Sequence, residues 1–399
     1  MNQYPRFKAS GTGAVARNWR DKVREVVSVK DYGAVGDGST DDTTAFRNAA
    51  SAAGTGAVYV PPGTYLLSDS VSYSCAFLFA PGATCTQATG GYITGSIVDY
   101  ADRDYECMMG MGYFNIWLEG TTFSSPASDT PVATLWKAQY DGTSGTFSVD
   151  QAGGPTTVGA YNGIRWNQTV TGVGSTYRQL EMRVEDATTY NNGKATLSFL
   201  VQCETGTVAC TAKVTQFFGT GGSPSTAVVA LSQAFTATTS WQRFAFTFDM
   251  GSTSAKTFGS NIDDCLKIAI QFPATGTFNV ALQEVKLERG PIRTPFSALP
   301  LSMQHAYIDR YLQFCVISIG DKAAAAGEQV FDPIPYKSEM RAAPTITFDS
   351  STLSGATANL GAGPTANFVQ KYGAAVYIES AAAGVYYATG HLCQLDARL

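Results

Sequence analysis

The chain has 399 residues, only 15% of them charged, with 40 Gly, 20 Tyr and 22 Phe. That composition suits a β-rich globular protein of roughly two to four domains. A formal net charge of −5 argues against a nucleic-acid groove, and no apolar run reaches the ~18 residues that span a bilayer. The first residues, Met1 to Lys8, lack the apolar core of a signal peptide, so assembly in a cytoplasm is expected. The eight cysteines include no Cys-x-x-Cys, which speaks against zinc. Cys203 and Cys210 flank a short turn-like segment and can approach one another; the plainer reading is buried free thiols.

Residues 1–27 carry Gly11-Thr-Gly-Ala-Val15 and then Arg17, Trp19, Arg20, Lys22 and Arg24. An aromatic amid charges gives such an arm something to bury, as docking requires; the alternative is a solvated basic arm. Val27 and Val29 can pair into a strand, and Asp37-Gly38 is a turn signal. Thr40, Asp41 and Asp42 are N-cap candidates. Ala45, Phe46, Ala49, Ala50 and Ala53 recur at helical spacing, and Gly54 stops the helix. Val58 and Val60 alternate with Tyr59 as a strand that closes at Pro61-Pro62-Gly63.

The run Val29-Lys-Asp-Tyr-Gly-Ala-Val-Gly-Asp-Gly-Ser-Thr-Asp-Asp-Thr43, followed by Val58-Tyr-Val-Pro-Pro-Gly-Thr-Tyr65, resembles the start of the pectate-lyase-like right-handed β-helix of bacteriophage tailspikes and tail fibres. The resemblance covers about residues 10–85. It implies that the helix caps the open end of the β-helix and that the Gly/Asp turn shapes the entry. The leader and the basic stretch ending in Arg24-Glu-Val-Val-Ser-Val-Lys-Asp31 are similar to the virion-proximal end of tail-fibre chains. Arg17, Trp19, Arg20, Lys22 and Arg24 are therefore virion-docking candidates. Val58 to Tyr105 leaves room for about one or two coils, fewer than the stack along which an enzymatic tailspike builds its cleft.

Residues 106–122 form a transition, with Met108, Met109, Met111, Tyr113, Ile116 and Trp117 as an apolar patch. Beyond it the pattern changes to alternation. Leu197, Phe199 and Val201, then Phe244, Phe246 and Phe248, then Phe278, Val280 and Leu282 each occupy every second position. Turn signals at Asn191-Asn-Gly193, Gly219-Thr-Gly-Gly-Ser-Pro224, Gly251 and Gly276 separate them. Many short strands with regular turns read as a β-sandwich or jelly roll. The segments Tyr177 to Val184, Thr239 to Phe248 and Leu282 to Gly290, with Thr294-Pro-Phe296 after them, resemble carbohydrate-binding-module-like jelly rolls of phage tail fibres.

Leu301, His305, Ile308, Leu312 and Cys315 fall at coiled-coil spacing, with Tyr307, Tyr311 and Phe314 as a second stripe. Residues 299–316 are expected to be a linker helix at a trimer axis; the alternative is a helix packed on its own sandwich. Ile346, Phe348, Val376 and Ile378 alternate as strands in 317–399. Arg341-Ala-Ala-Pro-Thr-Ile-Thr and Leu395-Asp-Ala-Arg-Leu399 resemble the terminal β-sandwich of tail fibres, where host contact is made.

Glycoside hydrolysis needs two carboxyls flanking a sugar. Asp37, Asp41 and Asp42 read better as turn and cap residues. Asp102, Asp104 and Glu106 would share one strand face and could hold a structural calcium, but a solvated edge is the favoured reading. His305 and His391 sit in no nucleophile motif. No catalytic residue and no cofactor is assigned. Sugar binding asks for exposed rings with polar groups at their edges. Trp136, Tyr140, Tyr161 and Trp166 in the sandwich, and Tyr372, Tyr377, Tyr386 and Tyr387 in the tip, are the glycan-contact candidates; Trp241 reads as core.

The fold expected is mainly β. A docking arm (1–27) precedes a short right-handed β-helix-like domain with a capping helix (28–105). The transition (106–122), a jelly roll (123–298), the linker helix (299–316) and a second β-sandwich at the tip (317–399) follow, in a homotrimer. The function expected is a structural phage tail fibre or tailspike on the virion tail, assembled in the host cytoplasm. It would dock to other tail proteins by its N-terminus and bind host-surface polysaccharide by its distal β domains, without nucleic acid or membrane insertion. The alternatives are a polysaccharide depolymerase and an adaptor fibre carrying another receptor-binding protein.

Overall fold

The structure is a computed structural model that describes residues 6–8, 10, 12, 14–18, 26–87, 92–99, 112, 114–153, 162–290, 293, 296, 299–349, 356–358 and 360–399. The chain is mainly β and divides into two compact units, one of residues 1–115 and 120–297, the other of 116–119 and 298–399.

In the first unit β1 (Arg6–Phe7) pairs antiparallel with β2 (Arg17–Asn18). After β3 (Val27–Ser28) comes a single 3-10 turn, Val29–Tyr32, which ends on a left-handed Gly33. Then follow β4 (Asp37–Asp41), α1 (Thr43–Ala53), β5 (Ala57–Val60) and β6 (Gly63–Leu67). After these come β7 (Ser70–Phe79), β8 (Ala83–Gln87) and β9 (Tyr92–Asp99). Alternate strands build two parallel sheets, β3-β5-β7-β9 and β4-β6-β8. Val58 pairs with Phe77 and Phe77 with Ile97, while Tyr65 pairs with Cys85. This is coil-on-coil stacking: β5–β6 and β7–β8 each give one strand to each sheet.

Val58, Val60, Tyr65, Leu67, Phe77 and Phe79 are fully buried between the sheets. Helix α1 adds Ala45, Phe46, Ala49 and Ala50 to that core. The Phe46 ring stacks on Phe77 (centroids 5.7 Å apart) and meets Tyr65 edge-on at 5.4 Å. Three small alanines around one large ring let the helix lie close while Phe46 fills the open end of the coil.

The carboxylates before α1 divide the work of fixing it. Asp42 holds the N-cap position but makes no cap bond. It is 1% exposed and accepts instead from the backbone N–H groups of Val35 (2.7 Å) and Gly36 (3.2 Å). Asp41 accepts from the Thr43 N–H (3.0 Å), the Thr43 hydroxyl and the Ser68 hydroxyl (both 2.5 Å), tying the helix start to the β6–β7 connection. Gly36 has φ 71°, and a Cβ there would lie 2.8 Å from the Tyr65 ring. The turn can therefore close over Tyr65 only with glycine at that position.

The rest of the unit is a sandwich of twelve strands. In order they are β10 (Thr122–Ser124), β11 (Thr130–Ala133), β12 (Trp136–Tyr140), β13 (Thr146–Gly153), β14 (Asn162–Val170) and β15 (Arg178–Glu185). β16 (Lys194–Cys203), β17 (Thr207–Phe217), β18 (Val228–Thr238), β19 (Gln242–Asp249), β20 (Cys265–Phe272) and β21 (Phe278–Arg289) complete it. One antiparallel sheet runs β10-β13-β14-β21-β16-β19 and the other β11-β12-β15-β20-β17-β18. Their inward faces share an aromatic core in which Trp166 stacks on Phe147 at 4.4 Å, and Phe199, Phe235 and Phe244 cluster within 4.8–6.0 Å.

The second unit opens with α2 (Leu301–Asp309), followed by β22 (Leu312–Ala323), β23 (Gln329–Ile334), β24 (Thr345–Asp349), β25 (Ala356–Ala358), β26 (Leu360–Gln370), β27 (Gly373–Ser380) and β28 (Gly384–Asp396). β28 pairs with β22, β24 and β25, and β23-β27-β26 form a second sheet. Ile317, Ile319, Val376, Ile378, Cys393 and Leu395 are buried in their core. Arg398 clamps Glu119, bonding it through both terminal nitrogens, and also holds Asp396.

The expected helix over 299–316 is corrected here. It ends at Asp309, and Leu312 and Cys315 lie in β22 opposite Asp396 and Cys393. The β-branched residues Val316, Ile317 and Ile319 favour the strand, and pairing with β28 satisfies its backbone. Of the expected seam, Ile308 is buried, whereas Leu301 and His305 are exposed.

Two outcomes test this account of the first unit. Asp42→Ala leaves two backbone N–H groups without their acceptor and should cost on the order of 2–3 kcal/mol in denaturant unfolding. The Asp41 carboxyl is held down to about 2 from 3.8 by the Ser68 and Thr43 hydrogen bonds. Its folded value lies below its unfolded one, so the stability it adds is present above about pH 4 and is lost as the pH falls through about 2. Urea midpoints should therefore fall over that window, and less steeply in Asp41→Asn.

Candidate functional site

The most developed polar surface of the sandwich is the outward face of the sheet that contains β15. Leu180, Met182 and Val184 turn into the core, so Gln179, Glu181 and Arg183 share the opposite side. Gln179 lies between Gln139 and Gln271 in register, Glu181 between Lys137 and Ala269, and Arg183 beside Lys267. Thr211, Lys213 and Thr215 of β17 extend the three rows. Gln179 and Glu181 are nevertheless only 7% and 3% exposed, because their neighbours close over them.

A continuous chain of hydrogen bonds fixes these groups. Gln271 Nε2 donates to Gln179 Oε1 (2.9 Å), and Gln179 Nε2 donates to Glu181 Oε2 (2.7 Å). Arg183 reaches Glu181 Oε1 through Nε (2.8 Å) and Asp129 Oδ1 through Nη2 (2.6 Å). Lys137 and Gln139 also donate to Asp129, at 3.3 and 2.5 Å. Asp129 stands in a left-handed conformation, φ 68°, which asparagine and aspartate tolerate best among non-glycine residues. Each member orients the next, so the face is preorganised.

Burial pushes the Asp129 carboxyl up, but Lys137 and Arg183 outweigh it and its pKa lies below the ordinary value. That is the opposite of what a general acid requires. Burial, followed by the carboxylates of Asp141, Glu181 and Asp129, raises the Tyr177 phenol. This half-buried ring directly precedes β15 and is held there by Asp141, whose carboxylate accepts from the Thr176 (2.6 Å) and Tyr177 (3.1 Å) N–H groups. Lys267 lies 4.0 Å over the Phe217 ring. Amides, a doubly bonded carboxylate, cations and two half-buried rings together match a ligand rich in hydroxyl groups with apolar ring faces.

Away from this face, a cleft of about 510 Å³ is lined by Thr64, Thr84, Lys194, Gln233, Phe246 and Thr247. Its two threonine hydroxyls near β8 bond each other at 3.1 Å. No cluster of metal-ligating side chains occurs among the described residues.

The residues expected to touch a glycan are scattered. Trp136 and Trp166 are corrected: both are fully buried, since strand alternation sends them inward with Ala138 and Ile164, and their faces are closed to a ligand. Tyr140 is half-buried and donates its hydroxyl to the Pro126 carbonyl at 3.0 Å. Tyr372 is 69% exposed beside the β26–β27 turn, and Tyr377 lies 5.4 Å from the partly exposed Phe331 ring. Tyr161 and the side chains of Tyr386 and Tyr387 lie outside the described residues, as do Asp102, Asp104 and Glu106. Of the docking candidates Arg17 is exposed on β2, while Trp19, Arg20, Lys22 and Arg24 lie outside the described residues. Sequence reasoning missed Tyr177, Gln179, Glu181 and Arg183. Their signal was a strict polar alternation within an otherwise apolar strand.

Residues 26–128 match the family model described as rhamnogalacturonase A/epimerase, pectate lyase-like. The chain is 33% identical over 124 residues to a tail spike protein of an Escherichia phage, a match that takes in 30% of this chain and 14% of that relative. The chain thus spans only a small part of its curated relative. Among solved structures, a family 11 carbohydrate-binding module from Clostridium thermocellum, in complex with a β-1,3-1,4-mixed-linked tetrasaccharide, aligns at 12% identity and TM-score 0.29. That alignment covers 43% of this chain and 98% of the module. The enzymatically active domain of tailspike protein 4 of bacteriophage CBA120 aligns at 11% identity and TM-score 0.35, over 59% of this chain and 34% of that one. One segment of the chain is thus similar both to pectate-lyase-like proteins and to a phage tail spike protein.

Proposed function

We propose that the protein is a phage tail component that holds a host-surface polysaccharide on the polar face of its sandwich. The observation that carries this reading is the hydrogen-bonded row Gln271–Gln179–Glu181–Arg183–Asp129, a fixed array of donors and acceptors beside the Tyr177 ring. Sugar hydroxyls bind best to groups that need no reordering. The basic arm around Arg17 is proposed to dock the chain to other tail proteins, and the second unit, with Tyr372 and Tyr377, to form the host-facing tip. Assembly as a homotrimer would present three copies of each face, and weak sugar contacts would then add through avidity.

The pectate-lyase-like match favours one other reading, a polysaccharide-cleaving spike. One assay separates the two. Purified full chain is incubated with host-surface polysaccharide, and both retention and polysaccharide length are followed. Retention without shortening is expected. Shortened polysaccharide would establish the cleaving spike instead.

Substitution locates the contact. Half-buried Gln271 and Tyr177 are the reachable members of the face, and Gln271→Ala and Tyr177→Ala should each weaken retention about tenfold, the loss of roughly 1–1.5 kcal/mol per contact, with an unchanged melting temperature showing that the fold survives. Retention equal to that of the unaltered chain in both variants would remove the polar face from consideration.

A further inference from the structure

Cys315 on β22 and Cys393 on β28 are register partners across an antiparallel strand pair. Their thiols are free and share a hydrogen bond. Residues directly opposite in such a pair hold their Cβ atoms roughly 4.5–5.5 Å apart, and a disulfide needs about 3.5–4.5 Å, so a small adjustment joins them. No other two described cysteines are register partners: Cys75 pairs with no cysteine in β5 or β9, and Cys203, Cys210 and Cys265 face Val280, Phe235 and Phe217. The two sulfurs also differ. Cys393 is fully buried, whereas Cys315 is half-buried at the unit's surface.

We propose that Cys315 and Cys393 are an oxidisable pair that closes into a cross-strand disulfide and locks β28 onto β22. Cys315 is the entry sulfur. Its hydrogen bond from Cys393 leads in holding the thiol below its ordinary value, and Lys337 helps. The same bond, with burial, pushes Cys393 up. The buried Tyr336 hydroxyl, which has no hydrogen-bond partner, packs near both sulfurs; burial and the two thiols raise its pKa.

With a disulfide such as oxidised glutathione as oxidant, the Cys315 thiolate attacks one of its sulfurs, breaks the S–S bond and releases one glutathione thiolate. Cys393 then gives up its proton and attacks the Cys315 sulfur of the mixed disulfide, releasing the second glutathione. Two protein thiols are oxidised by two electrons, one glutathione disulfide is reduced to two thiols, and the two protein protons end on them. The bond would close a loop between positions 315 and 393, 393 − 315 = 78 residues, long enough for the link to restrict the unfolded chain strongly.

The test uses the full chain, incubated with oxidised glutathione under native conditions, alkylated and analysed by mass spectrometry. A loss of about two mass units and a Cys315–Cys393 linked peptide are expected, with a melting temperature several degrees above that of the reduced chain. Two trapping variants distinguish the entry sulfur. Cys393→Ala should accumulate a glutathione adduct on Cys315, whereas Cys315→Ala should leave Cys393 unmodified. Both thiols still fully alkylated after oxidation would overturn the proposal, as would a link to a different cysteine. Buried Cys85, unmodified throughout, would confirm that the chain stayed folded.

Discussion

Successive side chains of a strand leave on opposite faces, and the sandwich is built on that constraint. Burying Leu180, Met182 and Val184 obliges Gln179, Glu181 and Arg183 to stand together on the other side. The adjacent strands repeat the arrangement, with Lys137 and Gln139 on β12 and Lys267 and Gln271 on β20 set beside them by register. A continuous apolar core on one side thus produces a continuous polar array on the other. The array costs desolvation, because Glu181 is nearly out of water. Its bonds from Gln179 and Arg183 offset that cost, which makes the face stiff as well as polar.

Charge is used differently in the coil-stacked region. Asp41 and Asp42 are adjacent, yet one collects hydroxyls and the helix N–H while the other is sunk beneath the glycine turn. The two carboxylates do not compete, because the backbone between them turns from strand to helix and points them to opposite sides. The turn, the helix start and the β6–β7 connection become one bonded unit around Phe46 and Tyr65.

Much of this architecture was legible from residue order. Phe244, Phe246 and Phe248 announced β19, and the Ala-rich run with Phe46 announced α1. The failures share a cause. Leu301 to Cys315 fits a heptad, but strand pairing with residues some eighty positions later outweighs local helical spacing. Trp136 and Trp166 lie on strands as their neighbours do, and sequence alone cannot say which face of a strand looks inward. The alternation within β15 was there to read, but its continuation across strands was not: Gln179 and Gln271 are 92 residues apart, and only the register unites them. Asp42 was legible as a residue of the helix start, but its partners Val35 and Gly36 were not.

The order of strands within the sheets also has a bearing on how the chain acquires its shape. β21, the last strand of the sandwich, lies between β14 and β16, and β28 lies between β22 and β24. In both cases a central position is filled by the strand of that sheet that comes latest in the chain. Neither sheet can be completed from its earlier strands alone, which must wait with open edges. Such long-range closures are slow. The two units would therefore mature in abrupt late steps, each triggered by the arrival of one strand, and the waiting edges would be most prone to aggregation just before those steps.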